Sequence, residues 1–472
     1  MTEQTFKGII AYIKDIIAGT EFEGHVFAVG GCVRDQVMGH EIKDIDMAVS
    51  LPCGGVKFAE FMESSGHTYG HVVTYPTYGT AMFRLKEFPE EEIECVQTRK
   101  EQYKDRNSRN PETAYGTIKE DCMRRDLTIN SLYLNVTTGE VLDLTGRGLD
   151  DIKNHVIRTT ATPVEIYSDD PLRMLRVVRF SSRYGWDIEE NTYKALSEEA
   201  HRLGIISQER ITDEFCKMLT CDNPVMAVKT LMETGLMHYV MPEFEATYKM
   251  GQNAYHFGTV YAHTLMVLDN VPTKLNLRVA AFMHDIGKTK TRTVDENGNA
   301  HFLRHEEKSA EMCEEILRRM KFPVDFIRDV TWLCKNHMRT KQWGDECDHM
   351  KLKRLRKLQY DCKTLDRFGD LMTLIHADNI SHAPKHCLPN QVGIITNTTM
   401  EMVNEGNAMF GYKLPVNGSD VMEYLGIGPG PEVRQILRHL TLVACSEPKM
   451  SREKALKYAK GGLKDIHRKA IY

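Results

Sequence analysis

The run HVFAVGGCVRDQVMGHEIKDIDMAV, residues 25–49, constrains the fold more than any other part of the chain. An apolar stretch ends in Gly30-Gly31, a short helical segment follows with Gly39 at its expected C-cap, and a second apolar strand carries Asp44 and Asp46. Strand, turn, helix, strand is an α/β signature. The other strand signals lie close by: HVVTYPTYGTAMFRL and EIECVQTR alternate like strands of one sheet. From about residue 150 the period becomes helical, as in PLRMLRVVRFSSRYG, ITDEFCKMLT, VMAVKTLMETG and LRVAAFMHDIG. We therefore expect an α/β head (residues 1–150, a mixed sheet with helices), a helical neck (151–245), a helical domain (250–385) and a tail (390–472). Breaks at ATP (161–163), Pro242–Gly251, SHAPKHCLPN and GIGPGP mark the joints.

Composition removes several classes. Hydrophobic residues are 42% of 472, enough for a sizeable core, and no stretch reaches the ~18 apolar residues of a membrane span. The N-terminus has Glu3 and no small-residue cleavage site, so it reads as a helix. Twelve cysteines without a CxxC pair fit reduced thiols in a cytoplasmic protein. With a net charge of −5, any nucleic acid must be held by local patches. Three such patches exist: Arg99–Arg125 with eight basic and five acidic residues, Lys351–Leu358 with five basic and none acidic, and Lys449–Tyr472 with eight and two. Each is equally well a solvated face.

Asp44 and Asp46, two apart on a strand, share a face. Two close carboxylates repel unless a cation lies between them, and they are ligands that Mg²⁺ prefers. Glu94 supplies a third if its strand pairs alongside. Gly30 and Gly31 let backbone N–H groups approach a phosphate at a helix N-terminus, and Arg34 lies one turn further on. A DxD pair alone reads as a solvated strand edge; the glycine turn and arginine change that. GGCVRD followed by DIDMAV resembles the catalytic motif of the nucleotidyltransferase superfamily, specifically its class II branch. That branch contains CCA-adding tRNA nucleotidyltransferases of bacterial type and bacterial poly(A) polymerases.

Further motifs extend the resemblance. Arg124-Arg125-Asp126 and Asn130 match RRDxxxN; paired guanidiniums suit a triphosphate, and a carboxylate with an amide suits a ribose. Arg173, Arg176, Arg179 and Arg183 form a helical stripe built for a polyanion or for buried carboxylates. Asp169, Asp170 and Arg173 match (E/D)DxxR. Placed one helical turn apart, Asp170 accepts and Arg173 donates, the pattern that pairs with the amino and ring-nitrogen edges of adenine and cytosine and opposes guanine and uracil. A simple intrahelical ion pair is the plainer alternative. Glu209, Arg210 and Glu214 resemble supporting residues that orient the arginines.

His263, His284-Asp285 and Asp378 resemble the HD phosphohydrolase domain in spacing, and the resemblance implies that His305 and His337 lie where two-metal members often place extra ligands. Imidazoles with carboxylates suit a divalent metal of unspecified identity. VNGSDVMEYLGIGPGPEV resembles the class II tail that lies against RNA.

The resemblance implies template-independent addition of CCA to a tRNA 3′ end from CTP and ATP. The RNA 3′-hydroxyl attacks the α-phosphate and pyrophosphate leaves, with one Mg²⁺ on Asp44 and Asp46 and a second on the triphosphate. The HD domain would act on phosphomonoesters or 2′,3′-cyclic phosphates at RNA ends. The alternatives are poly(A) synthesis, addition of C or A alone, an HD phosphohydrolase whose head is idle, and a non-catalytic RNA-binding module. A pI near 6.5 weighs against poly(A) polymerase.

Overall fold

The computed structural model describes residues 1–75, 79–102, 112–253, 255 and 258–469. The middle of the Arg99–Arg125 patch and the last three residues of the Lys449–Tyr472 patch lie outside these. The chain divides into two compact units, Met1–Glu245 and Ala246–Tyr472. The four expected segments thus join two by two.

The first unit is built on a mixed seven-stranded sheet. Its strands are β1 (Val26–Val29), β2 (Ile45–Val49), β3 (Val73–Tyr75), β4 (Thr80–Leu85) and β5 (Phe88–Gln97), with β8 and β9 below completing it. A separate ribbon pairs β6 (Arg99–Gln102) with β7 (Glu112–Tyr115); β8 (Leu132–Asn135) and β9 (Val141–Asp143) follow. The sheet order is β3-β4-β5-β2-β1-β8-β9. One pairing decides the chemistry: β2 and β5 run parallel, with Asp46 opposite Glu94. The helix α1 (Glu3–Ile17) turns Phe6, Ile9, Ile13 and Ile17 into the core shared with Val26, Met47, Phe58 and Ile93. All four residues of β1 are buried, as its apolar run requires.

Helix α2 (Gly31–Met38) follows β1 directly and ends on Gly39 at φ 68°, as expected. Gly30 enters it at φ 79°, a conformation costly to any side chain. After α3 (Gly54–Ser64), α4 (Ile118–Met123) and α5 (Gly148–Asn154), the neck opens with α6 (Pro163–Asp169) and α7 (Leu172–Tyr184). Asp170 and Arg173 do not share a helix. Asp170 sits in the break at φ −143°, ψ 102°. The next residue is Pro171, and the residue before a proline is driven out of the helical region. The premise of one helical turn between them is therefore corrected. Helices α8 (Glu190–Glu199) and α9 (Gln208–Leu219) complete the part that meets the site.

The second unit is helical, apart from a two-stranded hairpin. Five of its helices matter here: Val260–Asp269, Leu275–Met283, His305–Arg319, Val324–Asn336 and Leu365–Ile380. The tail segment forms Gly418–Leu425, with an Asn417–Asp420 capping box, and Pro431–Ala444. Among the described residues, no helix is long and apolar enough to cross a membrane.

Candidate active sites

In the first unit, Asp44 is exposed just before β2, Asp46 is half-buried on it, and Glu94 is exposed on β5. Burial pushes the Asp46 carboxyl up to about 6; Glu94 and Asp44 add to this, and Arg125 opposes it. A side chain on Gly30 would lie 3.6 Å from Arg125 Nη1 and 3.9 Å from Asp46 Oδ2, so the glycine turn, the guanidinium and the carboxylate face one another. An all-carboxylate donor set at odds with itself fits Mg²⁺. Asp44, Asp46 and Glu94 are nevertheless less tightly gathered than the ligands of the second unit, where the sets of three within 4.8 Å occur.

The arginines are already partnered. Asp121, fully buried, binds Arg124 Nη2 at 2.6 Å and Arg125 Nη2 at 3.1 Å, and accepts from the Tyr133 hydroxyl at 2.5 Å. Burial alone would raise its carboxyl, but Arg125, Arg124 and Tyr133 prevail and hold it at about 2. Sequence reading misses Asp121 and Tyr133. A signal for the first exists: Asp121 precedes the two arginines by three and four residues, the spacing of a helical turn.

Arg34 corrects a second expectation. It is buried, its Nε and Nη2 donate to Asp35 at 2.8 and 2.9 Å, and its Nη1 donates to Asn130 Oδ1 at 2.5 Å. It lies over the Phe180 and Tyr184 rings at 5.3 and 5.6 Å. Asp35 beside it takes the guanidinium in bidentate fashion, so here it braces the turn. Asn130 Nδ2 donates to Asp126 Oδ1 at 3.3 Å, and Arg176 Nε donates to Asp126 Oδ2 at 2.6 Å. Burial works to raise the Asp126 carboxyl, yet Arg176 and Asn130 bring it down to about 2. Arg179 pairs with buried Glu214 at 2.8 Å. Of the two readings of the arginine stripe, buried carboxylates describe these two members. Asp170 pairs with Arg210 at 2.7 Å, and Arg173 lies 4.0 Å from Asp169. Gly31 stands at the start of α2, 3.6 Å from Arg34 Nη2 as measured from the side chain it lacks.

In the second unit, six residues from five helices and their ends meet. His263 lies on Val260–Asp269; His284 and Asp285 end Leu275–Met283; His305 begins its helix; His337 ends Val324–Asn336; Asp378 lies in the last turn of Leu365–Ile380. Each imidazole points Nδ1 at a carbonyl: His263 at Ser381 (3.2 Å), His284 at Ala281 (2.8 Å), His305 at Phe302 (2.9 Å) and His337 at Cys334 (2.7 Å). A carbonyl only accepts, so Nδ1 carries the proton and Nε2 the lone pair. At helix C-termini this also satisfies orphan carbonyls.

The Nε2 atoms then converge. His263 and His284 approach to 3.3 Å, His305 and His337 to 3.4 Å. Asp285 sits between the pairs: Oδ2 is 3.3 Å from His284, and Oδ1 is 3.2 Å from His305. Asp378 Oδ1 is 3.1 Å from His263. Burial drives His337 down to about 3, so it is neutral at physiological pH. Asp285 Oδ1 is buried without a hydrogen-bond donor. Lone pairs facing lone pairs around an orphaned carboxylate oxygen fit one or two divalent cations. Gly287 explains the glycine after His-Asp: a Cβ there would fall 2.5 Å from the His305 carbonyl oxygen, so only glycine lets that helix close in. His382 and Lys341, which carry no sequence motif, also line the cavity here, of about 520 Å³.

The basic segments of this unit are partly paired within themselves. Lys357 binds Asp361, Lys454 binds Glu447 and Lys457 binds Glu453, while Lys351, Lys353 and Arg354 face solvent.

Comparison with known proteins gives three matches along the chain: the poly A polymerase head domain over residues 26–158, a probable RNA and SrmB-binding site of polymerase A over 185–247, and an HD domain over 254–368. The last ends before Asp378. A mitochondrial CCA tRNA nucleotidyltransferase of Candida glabrata is 32% identical over 228 residues, 45% of this chain and 42% of that protein. The chain thus spans less than half of that relative. The CC-adding tRNA nucleotidyltransferase of Thermus thermophilus is 27% identical over 342 residues, covering 69% of this chain and 73% of its own. Among solved structures, the Bacillus stearothermophilus CCA-adding enzyme in complex with CTP aligns over 98% of both chains with a TM-score of 0.68 at 20% identity, a likeness of fold.

Proposed function

We propose that this chain, whose residues 26–158 match the poly A polymerase head domain, adds nucleotides to tRNA 3′ ends without a template, completing CCA from CTP and ATP. The observation that carries this reading is the register of β2 and β5, which brings Glu94 opposite Asp46 beside the Gly30 turn and Arg125. Asp44 and Asp46, with Glu94, would hold Mg²⁺, which activates the attacking 3′-hydroxyl and neutralises the triphosphate. Gly30 and Gly31 leave room for phosphate oxygens near backbone N–H groups. Arg125, anchored by Asp121, sets a fixed positive charge beside the carboxylates. Asp126 and Asn130 hold Arg176 and Arg34 in place. Asp170, in the break before α7, and Arg173, in its first turn, would read the base, with Asp170 released from Arg210 to accept from cytosine or adenine. The exposed Lys351, Lys353 and Arg354 offer contacts to the RNA backbone. His263, His284, Asp285 and Asp378, with His305 and His337, would hold a divalent metal for hydrolysis of phosphate esters.

A second reading, addition of CC alone, is favoured by the likeness to the Thermus protein, which extends over more than two thirds of both chains. The test is incorporation on three tRNA transcripts ending at the discriminator base, at C and at CC, with each labelled nucleotide in turn. Growth to CCA and a stop, with GTP and UTP refused, is the expected result. Arrest at CC selects the second reading, a long A tail selects poly(A) synthesis, and no incorporation overturns the transferase reading.

A further inference from the structure

The cavity of the second unit holds a charge balance that the metal ligands alone do not explain. Asp285 and Asp378 are the only carboxylates in its lining among the described residues. Each already has an ammonium: Lys288 Nζ lies 2.6 Å from Asp285 Oδ2, and Lys341 Nζ lies 2.8 Å from Asp378 Oδ2. Two carboxylates are therefore matched by two lysines before any metal arrives. Every divalent cation then bound leaves the cavity two charges positive, and exposed Lys385 at its rim adds to the excess. A buried excess of charge is costly unless an anion answers it.

Lys341 is held by two further acceptors. It donates to Asn379 Oδ1 at 2.8 Å and to His382 Nε2 at 3.3 Å. Both acceptors are fixed from behind. Asn379 Nδ2 donates to Gln391 Oε1 at 3.1 Å, which turns its oxygen toward the lysine. His382 points Nδ1 at the Asp378 carbonyl at 2.6 Å, which leaves Nε2 as an acceptor. This scaffold holds an ammonium at the wall of a cavity of about 520 Å³ whose other walls include Tyr255, Phe302 and Leu388.

We propose that the cavity takes a phosphomonoester dianion, the terminal phosphate of a nucleotide or of an RNA end, and that Lys341 is the cation that selects it over a singly charged phosphodiester. The inference rests on the reading of this site as a metal-dependent phosphohydrolase. Hydrolysis of such an ester joins the oxygen of water to phosphorus, breaks the bond from phosphorus to the alcohol oxygen, and sends a proton from water to the leaving alkoxide. A dianion cancels the two charges one divalent ion leaves; a diester cancels half.

The test uses the full chain loaded with Mn²⁺, compared with Lys341→Met and Lys341→Arg. Calorimetry with inorganic phosphate and with dimethyl phosphate at pH 8 reads the preference, and elemental analysis reads the metal. We expect wild type to bind phosphate at least about tenfold more tightly than dimethyl phosphate. Lys341→Met should keep its Mn²⁺ and lose most of that preference, and Lys341→Arg should restore it. Nucleotide incorporation by the head serves as the folding control. Competition by adenosine 3′-monophosphate and by an oligonucleotide with a 3′-phosphate tells which source fits better. Retained preference in Lys341→Met, or loss of its Mn²⁺, overturns the proposal, the latter because Lys341 then only positions Asp378. A wild-type protein that binds Mn²⁺ but shows no preference sinks this inference alone; one that binds no metal sinks the phosphohydrolase reading as well.

Discussion

In the first unit arginines meet carboxylates, and in the second imidazoles meet imidazoles. Asp121, Asp126 and Glu214 give Arg124, Arg125, Arg176 and Arg179 buried counter-charges, so the arginine framework of the head is balanced within the protein. Four histidines of the second unit converge through Nε2 around an oxygen of Asp285 that lacks a hydrogen-bond donor, an arrangement that fits a cation. The framework of the head is made of ion pairs. In the second unit the framework and the candidate metal ligands are the same side chains.

The comparison can be broken at its ends. Asp44→Ala or Asp46→Ala should reduce single-turnover incorporation on the order of 10³-fold or more while the metal content of the second unit is unchanged. Comparable incorporation by either variant would remove these carboxylates from the chemistry. Stripping metal with a chelator should destabilise the second unit, by about 4 kcal/mol if the ion is present at a thousand times its dissociation constant. Asp285→Ala should abolish this response; a metal-insensitive wild type would mean the imidazole cluster is satisfied without an ion.

Two finer tests sharpen it. Asp121→Asn leaves two guanidiniums without their buried counter-charge and should cost about 3 kcal/mol of stability in the first unit, read by denaturant unfolding. Because the Asp121 carboxyl is held near 2, below its unfolded value, its contribution is present above about pH 4 and lost as pH falls toward 2. Asp46 has the opposite sign. Its carboxyl is raised to about 6, so the metal-free head should lose stability as pH rises from about 4 through 6, and Asp46→Asn should gain about 1–2 kcal/mol at pH 7. Wild-type stability that rises across that window would show that Asp46 is not strained by its neighbours.

The sequence disclosed the elements that local pattern controls. The change of period near residue 150, the β1–α2 turn and the helix cap at Gly39 all follow from residue order alone. The pairing of Glu94 with Asp46 needs one assumption, that β5 lies beside β2, and the sheet order meets it. Partner choice is harder to see. Arg34 looks free in the sequence because adjacent residues of a helix do not face each other, yet Asp35 is its bidentate partner. Asp170 stands at helical spacing from Arg173, although Pro171 between them forbids a shared helix. His382 and Lys341 carry no motif; their roles come from side-chain hydrogen bonds to Asp378 and Asn379.

The parallel register of β2 and β5 has a consequence for assembly. Glu94 belongs to a strand that enters the sheet between β2 and β4, far along the chain from Asp46. A head that has collapsed but not yet inserted β5 has two carboxylates and no third. On the proposed reading, nucleotide incorporation would report sheet completion, because Glu94 joins Asp46 only once β5 has docked.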